Sequence, residues 1–385
     1  MGATSPDRAF PLSAARPRGE SATRGLLLLL ALLGFFATTW LVGWRQGLLW
    51  CIGVGLGVAL AAGSFGFTTG WRVWITHRDP TGLLAQFFAI AVCMLLSVPL
   101  LAAHPELQGA DGPLSWSLLI GSFVFGASMQ IADGCGSGTL YKAGMGHPVS
   151  LAVLPAFVMG SFAGSAQLPA WLSLGALPPV SLVQRFGAAD TLLLQLGALG
   201  VLAALVWRLR RPDSPRRWRG PAVWVAGAAL GVLGALNLVV AGQPWGIVYG
   251  LGLWGAKIVQ ALGVNLSHNA FYGLPVQNAQ LHASLLADNT SITDLGMLFG
   301  ALLAAQRSGS LSPRVSLPRR AWVASVVAGL LMGYSSRLAF GCNVGAYFSG
   351  IATGSLHGWV WFACAFAGSM LGVRLRKRLG VGAQR

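Results

Sequence analysis

The chain has 385 residues, of which 55% are hydrophobic and only 9% charged, and its mean hydropathy is +0.65. Soluble domains carry about 25% charged residues, so this composition excludes a water-soluble globule, a disordered chain and a secreted disulfide scaffold. The 26 Lys and Arg against 10 Asp and Glu leave a net charge of +16, and 53 residues are glycine. The fold class predicted is an all-α polytopic membrane protein.

The basic residues occupy short blocks between apolar runs. These blocks lie near residues 8–24, 72–78, 208–219, 307–320 and 374–378. No nucleic-acid-reading module surrounds them, and Lys and Arg beside spans are what the positive-inside rule produces. The charge surplus therefore indicates membrane topology, and we predict no nucleic-acid partner.

Apolar segments long enough for helical spans, which need about 20 residues, recur along the chain. In chain order we predict spans at residues 25–44, 47–66, 81–103, 114–132, 148–170, 188–207, 221–241, 245–263, 291–306, 321–341 and 356–373. The first contains Phe35, Phe36 and Trp40 where a signal peptide would have a small-residue cleavage site, so we interpret it as a retained span.

The polar, proline-containing segment 208–220 is predicted to be a basic cytoplasmic linker between two membrane halves. The halves cover residues 25–207 and 221–374. We expect residues 1–24 to form a cytoplasmic N-terminal tail and residues 375–385 a basic C-terminal tail.

Two glycine-rich polar stretches, residues 133–147 and 341–355, are unsuited to lipid and too tightly enclosed by spans to be free loops. Irregular backbone at membrane depth is tolerated only when it is buried in protein or lines a cavity. The two stretches also align with each other at a constant separation of 207 residues, which matches Gly126, Gly134, Cys135 and Gly138 to Gly333, Gly341, Cys342 and Gly345. Such paired interruptions are a sequence pointer to a transporter's binding site.

The predicted repeats cover about residues 47–165 and 245–372. If every basic block is cytoplasmic, Cys135 ends a span that runs inward and Cys342 ends one that runs outward, which is an inverted arrangement; a parallel arrangement is the alternative. An inverted arrangement requires residues 265–290 to supply a re-entrant or broken crossing. Loop 104–113 contains acidic residues but no Lys or Arg, so we expect it on the outside.

Residues at the two breaks are the candidate substrate pathway. A helix that restarts after each cysteine would present unpaired N–H groups to an anion. Glycine has no Cβ and permits close approach of a ligand, which makes pathway candidates of Gly134, Gly136, Gly138, Gly341 and Gly345. The polarizable thiols of Cys135 and Cys342 suit a soft atom. This combination favours a small sulfur-containing anion over chloride.

Two cations near the breaks, Lys142 and Arg337, would add positive potential if they face the pathway. The alternatives are that Lys142 is an interfacial anchor, with Asp133 as its partner charge, and that Arg337 is a buried structural cation. No spacing predicts a metal, haem or ATP site. We therefore predict no cofactor and no enzymatic activity.

The blocks GASMQIADGCGSGTLYKAGMG, at 126–146, and MGYSSRLAFGCNVGAYFSGIATGSLHGWVWF, at 332–362, resemble the doubled signature of the YeeE/YedE sulfur-transport family. The stretch GSFGFTTGWR at 63–72 is similar to the start of its first repeat. The resemblance implies an inner-membrane protein of two inverted repeats, with short helices dipping toward the centre. It also implies TsuA-type transport, in which thiosulfate passes between pore cysteines through S–H···S contacts.

This resemblance matches Cys135 and Cys342 to the signature cysteines, although residues 265–295 lack the further cysteine that thiosulfate-transporting members are expected to have. The function predicted is import of thiosulfate or a related sulfur anion through a cysteine-lined pore. Membrane lipid and a small cytoplasmic sulfur-carrier protein are the other predicted partners. The alternative is a redox or sulfur-relay protein that transfers sulfane sulfur or electrons between Cys135 and Cys342 to a cytoplasmic carrier.

Overall fold

The computed structural model describes residues 20–211, 220–311 and 315–381, and this part of the chain is almost entirely helical. The helices are α1 (Glu20–Leu41), α2 (Trp44–Ala62), α3 (Phe67–His77), α4 (Thr81–Ala103), α5 (Trp116–Ile131), α6 (Gly136–Gly144), α7 (Pro148–Leu172), α8 (Leu182–Arg208), α9 (Ala222–Ala241), α10 (Val248–Ala261), α11 (Pro275–His282), α12 (Asn289–Ser308), α13 (Arg319–Leu338), α14 (Ser349–Ala352) and α15 (Leu356–Leu379). A 3₁₀ turn (Leu285–Ala287) precedes α12, and a π-helical turn (Asn343–Phe348) precedes α14. Two short strands, Leu114–Ser115 and Ala176–Leu177, pair antiparallel.

Eight helical segments of the described chain are long and apolar enough to cross a membrane. Their outer surfaces carry exposed apolar side chains, such as Leu193 and Val201 on α8, which are 72% and 70% exposed. Apolar surface on this scale is unsuited to water and matches contact with lipid. The all-α polytopic membrane fold predicted from the composition is confirmed.

Each of the eleven predicted spans contains a helix, but some of these helices are too short or too polar to cross a membrane on their own. The helix α10 has only 14 residues, and α12 has a polar first turn. Residues 265–290, which were expected to supply a broken crossing, form turns, the eight-residue α11 and the 3₁₀ turn. At the two ends, α1 begins at Glu20 and α15 ends at Leu379, so both helices extend into the predicted tails. Residues 1–19, 212–219, 312–314 and 382–385 lie outside the described residues.

Glycines bring the two halves into close contact at the centre. A Cβ on Gly126 of α5 would lie 1.9 Å from the carbonyl oxygen of Ala365 on α15, and one on Gly333 of α13 would lie 2.1 Å from that of Phe157 on α7. Small residues allow membrane helices to pack this closely. The two contacts correspond to each other: Gly126 and Gly333 are 207 residues apart, the separation that aligns the breaks, and Phe157 and Ala365 are 208 residues apart.

The helices α5 and α13, which precede the two breaks, run in opposite directions against each other. Near the start of α13, the Ser325 hydroxyl donates to the Ile131 carbonyl at the end of α5 over 3.3 Å. At the other end, a Cβ on Gly121 of α5 would lie 2.9 Å from the backbone nitrogen of Ala339. This packing supports an inverted arrangement, and the orientation of the repeats across the membrane stays a prediction.

Candidate functional site

The candidate site is built around two helix breaks with nearly the same backbone. Cys135 directly precedes α6 with φ −84° and ψ −167°, and Cys342 directly precedes the π-helical turn with φ −99° and ψ −166°. Two residues before each cysteine, Asp133 and Phe340 have left-handed φ values of 61° and 57°. This conformation is costly for residues other than glycine and tends to occur at functional sites.

A Schellman motif ends the helix before each break. The N–H of Gly134 donates to the Met129 carbonyl over 3.1 Å, and the N–H of Gly341 donates to the Ser336 carbonyl over 2.9 Å. Both bonds span five residues and reverse the chain, so each following cysteine is directed back into the protein. The breaks are therefore defined turns that place a thiol at the centre of the molecule.

The two breaks meet at their cysteines, which are both fully buried. A Cβ on Gly136, the residue after Cys135, would lie 2.9 Å from the Sγ of Cys342. The thiol of Cys135 lies 3.4 Å from the hydroxyl of Ser137, while the Sγ of Cys342 accepts from the N–H of Val344 over 3.4 Å. The structure thus brings the two predicted cysteines and Gly136 together.

The other predicted glycines serve different geometric needs. Gly341 has a φ of 155°, and a Cβ there would lie 2.5 Å from the backbone nitrogen of Ala346. The nearest atom to a Cβ on Gly134 would be 3.0 Å away, and a Cβ on Gly138 would make an ordinary 3.6 Å contact with the Sγ of Cys135. Gly345 lines a cavity beside the Cys342 break.

A cavity of about 560 Å³ opens beside the break at Cys342. Its lining includes Gln108, Gly109, Ala110 and Asp111 from loop 104–113, Trp245, Gly246 and Tyr249, and Asp288, Asn289, Thr290, Phe340 and Gly345. The lining residues include two carboxylates and neither Lys nor Arg. In loop 104–113, burial raises the pKa of the Asp111 carboxyl above its usual range, and a hydrogen bond with Ser355 partly opposes that rise.

The predicted cation Arg337 lies next to this cavity. Its Nε donates to the Ser165 hydroxyl over 2.7 Å, and its guanidinium lies 5.1 Å from the ring centroid of Tyr249 and 5.8 Å from that of Phe271. Since Tyr249 lines the cavity, Arg337 contributes positive charge directly behind the wall. No carboxylate pairs with it in the part of the chain that the structure describes.

The predicted cation Lys142 lies in a cluster of four charges. Its Nζ pairs with the Asp133 Oδ2 at 3.1 Å, while the Asp133 Oδ1 pairs with Arg72 at 2.8 Å and with Arg376 at 3.1 Å. The ion pair with Asp133 matches the alternative interpretation of the sequence, in which Asp133 is the partner charge of Lys142. A role for Lys142 in the pathway stays a prediction.

Sequence reasoning overlooked a group of buried polar side chains on the elements around the cavity and the Cys342 break. The group comprises Trp245, Asp294, Asn343 and Tyr347, whose terminal nitrogen and oxygen atoms are buried without a hydrogen-bond partner among the described residues. The available signal was the single carboxylate, Asp294, inside the predicted span at 291–306, because an ionisable residue within a span is costly and tends to be functional.

Comparison with known proteins agrees with this architecture. The chain is 31% identical over 146 residues to the probable transporter YedE of Salmonella typhimurium, a match that covers 38% of this chain and 35% of that relative. It is 27% identical over 328 residues to the thiosulfate transporter TsuA of Spirochaeta thermophila, which covers 80% of this chain and 92% of the relative. It is 24% identical over 329 residues to TsuA of Escherichia coli, covering 79% and 87%. A family model described as sulphur transport matches residues 62–371, so this multi-pass membrane protein belongs to the sulphur-transport family.

Proposed function

We propose that this chain is a permease of the bacterial inner membrane that imports thiosulfate or a related small sulfur-containing anion. The observation that carries the proposal is the meeting of the two breaks, where the Sγ of Cys342 lies against Gly136, the residue after Cys135. The two relatives named as thiosulfate transporters, which match across most of this chain, support the substrate class.

In the proposed route, the anion enters the cavity beside Gly345 and passes the two buried thiols in turn. Arg337 supplies attraction behind the cavity wall, because a guanidinium with no carboxylate partner among the described residues acts strongly on a nearby anion in a low-dielectric setting. The thiols are weak donors and acceptors that suit the terminal sulfur of thiosulfate. The N–H groups at the start of α6 suit its oxygens, and no covalent change is required.

Beyond Cys135, the charge cluster supplies further attraction towards the cytoplasm. Three cations, Arg72, Lys142 and Arg376, surround the single carboxylate of Asp133, so the cluster has a surplus of positive charge. We place this end of the pathway at the cytoplasmic face, since it is next to the basic blocks. The same face is the proposed docking surface for a small cytoplasmic sulfur-carrier protein.

Uptake by the purified full chain in liposomes tests this function, with labelled thiosulfate, sulfite and sulfate as substrates. We expect thiosulfate to enter, and Cys135→Ala or Cys342→Ala to lower its uptake by about tenfold or more, since a lost buried hydrogen bond costs about 1–3 kcal/mol. Cys51→Ala is the matched control, because Cys51 is exposed on α2. Full uptake by both pathway variants at normal expression would contradict the proposal.

A further inference from the structure

Asp294, on α12, has an exceptional environment for a carboxylate. Its side chain is fully buried, and neither carboxylate oxygen has a hydrogen-bond partner among the described residues. An ionised carboxylate that is buried without a partner is strongly unfavourable, so such a group binds a proton or a cation instead. Ionisable residues inside membrane proteins mark ion pathways and proton relays.

Asp294 lies on a helix that also contributes to the cavity wall. Thr290 lines the cavity and lies four residues earlier on α12, which is the same face of the helix. A Cβ on Gly250 of α10 would lie 3.1 Å from the Asp294 Oδ2, so the carboxylate points away from lipid toward α10. The helix α12 also packs against α6, the helix that follows Cys135, where Gly144 lies against the backbone of Leu298.

The charged groups on neighbouring elements are engaged elsewhere. On α2, Arg45 donates to the Val240 carbonyl; on α6, Lys142 pairs with Asp133; on α10, Lys257 donates to the Leu281 and Ala283 carbonyls, each over 2.6 Å. The other titratable groups on or beside these elements and on α12 itself are Cys51, Cys135, Tyr141, Tyr249, Asp288, Arg307 and Cys342. None of the described cations forms an ion pair with Asp294.

We infer that Asp294 is a proton-binding site coupled to the anion, so that the protein imports its substrate together with a proton. This inference rests on the proposed function. A doubly charged anion at the thiols is repelled by an ionised Asp294 and tolerated by a neutral one. Because coupling between two bound ligands is reciprocal, the anion favours protonation of Asp294, and the proton favours entry of the anion.

The surroundings favour a proton over a metal cation. Hard cations take several oxygen ligands, whereas the other nearby carboxylate, Asp288, already accepts from the N–H of Ser291 over 2.7 Å. In the described ranges, no three His, Cys, Asp or Glu residues cluster as metal ligands would. A single unpartnered carboxylate needs only one proton to become neutral.

The test is accumulation of labelled thiosulfate in liposomes whose membrane potential is clamped at zero. With the outside about one pH unit more acidic, one proton per anion gives about tenfold accumulation, because one pH unit corresponds to a factor of ten. We expect Asp294→Asn, which mimics the neutral carboxyl, to abolish this accumulation while retaining exchange of labelled for unlabelled thiosulfate. Asp190→Asn is the matched control, since Asp190 is an exposed carboxylate on α8.

A second measurement uses the unmodified chain, so that it does not depend on folding of the variant. Adding thiosulfate to these liposomes in weak buffer should make the outside medium more alkaline as protons enter. Thiosulfate uptake that ignores the pH gradient, follows a sodium gradient instead, or produces no alkalinisation would overturn the inference. Absence of both uptake and exchange by the unmodified chain would instead contradict the proposed function.

Discussion

The breaks at Cys135 and Cys342 share a backbone but differ in what surrounds it. Two residues before the cysteine, the first break has Asp133, which pairs with three cations, whereas the second has Phe340, which lines the cavity. After the cysteine, the first break continues as an α-helix and the second as a π-helical turn. π-helical geometry is rare and frequent at functional sites.

This difference indicates that the two breaks have separate tasks on one scaffold. Both breaks use the same Schellman turn, because each must bring a buried thiol to the centre of the protein. Around the first turn, ion pairs with Asp133 hold a positively charged cluster together. Around the second turn, Phe340 faces an open cavity instead. A repeated backbone can in this way produce a pathway whose two ends are chemically unlike.

The charge cluster at the first break offers the largest expected effect. Asp133→Asn leaves Arg72, Lys142 and Arg376 without their carboxylate. Removing one partner of a fully buried ion pair costs about 3–5 kcal/mol, which is an upper bound here because these side chains are 13–21% exposed. Asn tolerates the left-handed backbone at this position, so the change isolates the charge. We expect a clear fall in the thermal unfolding temperature of the purified protein in detergent.

The control for the charge cluster is Asp190→Asn, which removes an exposed carboxylate on α8 and should leave the unfolding temperature unchanged. If Asp133→Asn unfolded at the same temperature as this control, the ion pairs would not stabilise the first break. The proposed distinction between a charge-held end and an open end would then lose its basis.

The first glycine of each break gives a second comparison, with an intermediate effect. An Ala side chain at Gly341 meets both a φ of 155° and a 2.5 Å approach to Ala346, whereas at Gly134 the nearest contact is 3.0 Å. Overpacking and strained backbone each cost about 1–3 kcal/mol. We therefore expect Gly341→Ala to lower the unfolding temperature more than Gly134→Ala.

A matched control for this pair is Gly200→Ala on α8, where an added Cβ meets nothing within 4 Å. Ala is favoured over Gly in a helix by about 0.5–1 kcal/mol, so this variant should be neutral or slightly stabilised. Equal losses at Gly134 and Gly341 would show that the two turns are under the same steric constraint.

The sequence was sufficient to predict the features that depend on local pattern. Apolar length predicted the helices, and the aligned glycines around Cys135 and Cys342 predicted where they break. The ion pair between Asp133 and Arg376 joins the first membrane half to a residue of the predicted C-terminal tail, and hydropathy has no information about such distant partners. The position of Asp294 inside a predicted span was visible in the sequence, but its lack of a partner is visible only once α10 and α12 are packed together.

The smallest effect concerns the mouth of the cavity, where Asp111 faces an incoming anion. Asp111→Asn removes one negative charge from the cavity lining. A solvent-screened charge there alters anion affinity by about two- to threefold. We expect a lower KM for thiosulfate in the variant at high pH. Because burial raises the pKa of the Asp111 carboxyl, protonation neutralises it at less acidic pH than usual, and the two KM values should converge as the pH falls.

The ratio of the KM of the unmodified chain to that of Asp111→Asn, taken at each pH, reports on Asp111 alone. Protonation of any other group, such as Asp294, changes both KM values alike and cancels in the ratio. Glu106→Gln is the control, because Glu106 is an exposed carboxylate of the same loop and is not among the cavity-lining residues. A KM ratio that stayed constant across pH would mean that Asp111 does not act through its charge. The open end of the pathway would then discriminate by shape and hydrogen bonding, and the electrostatic contrast between the two ends would rest on the Asp133 cluster and Arg337.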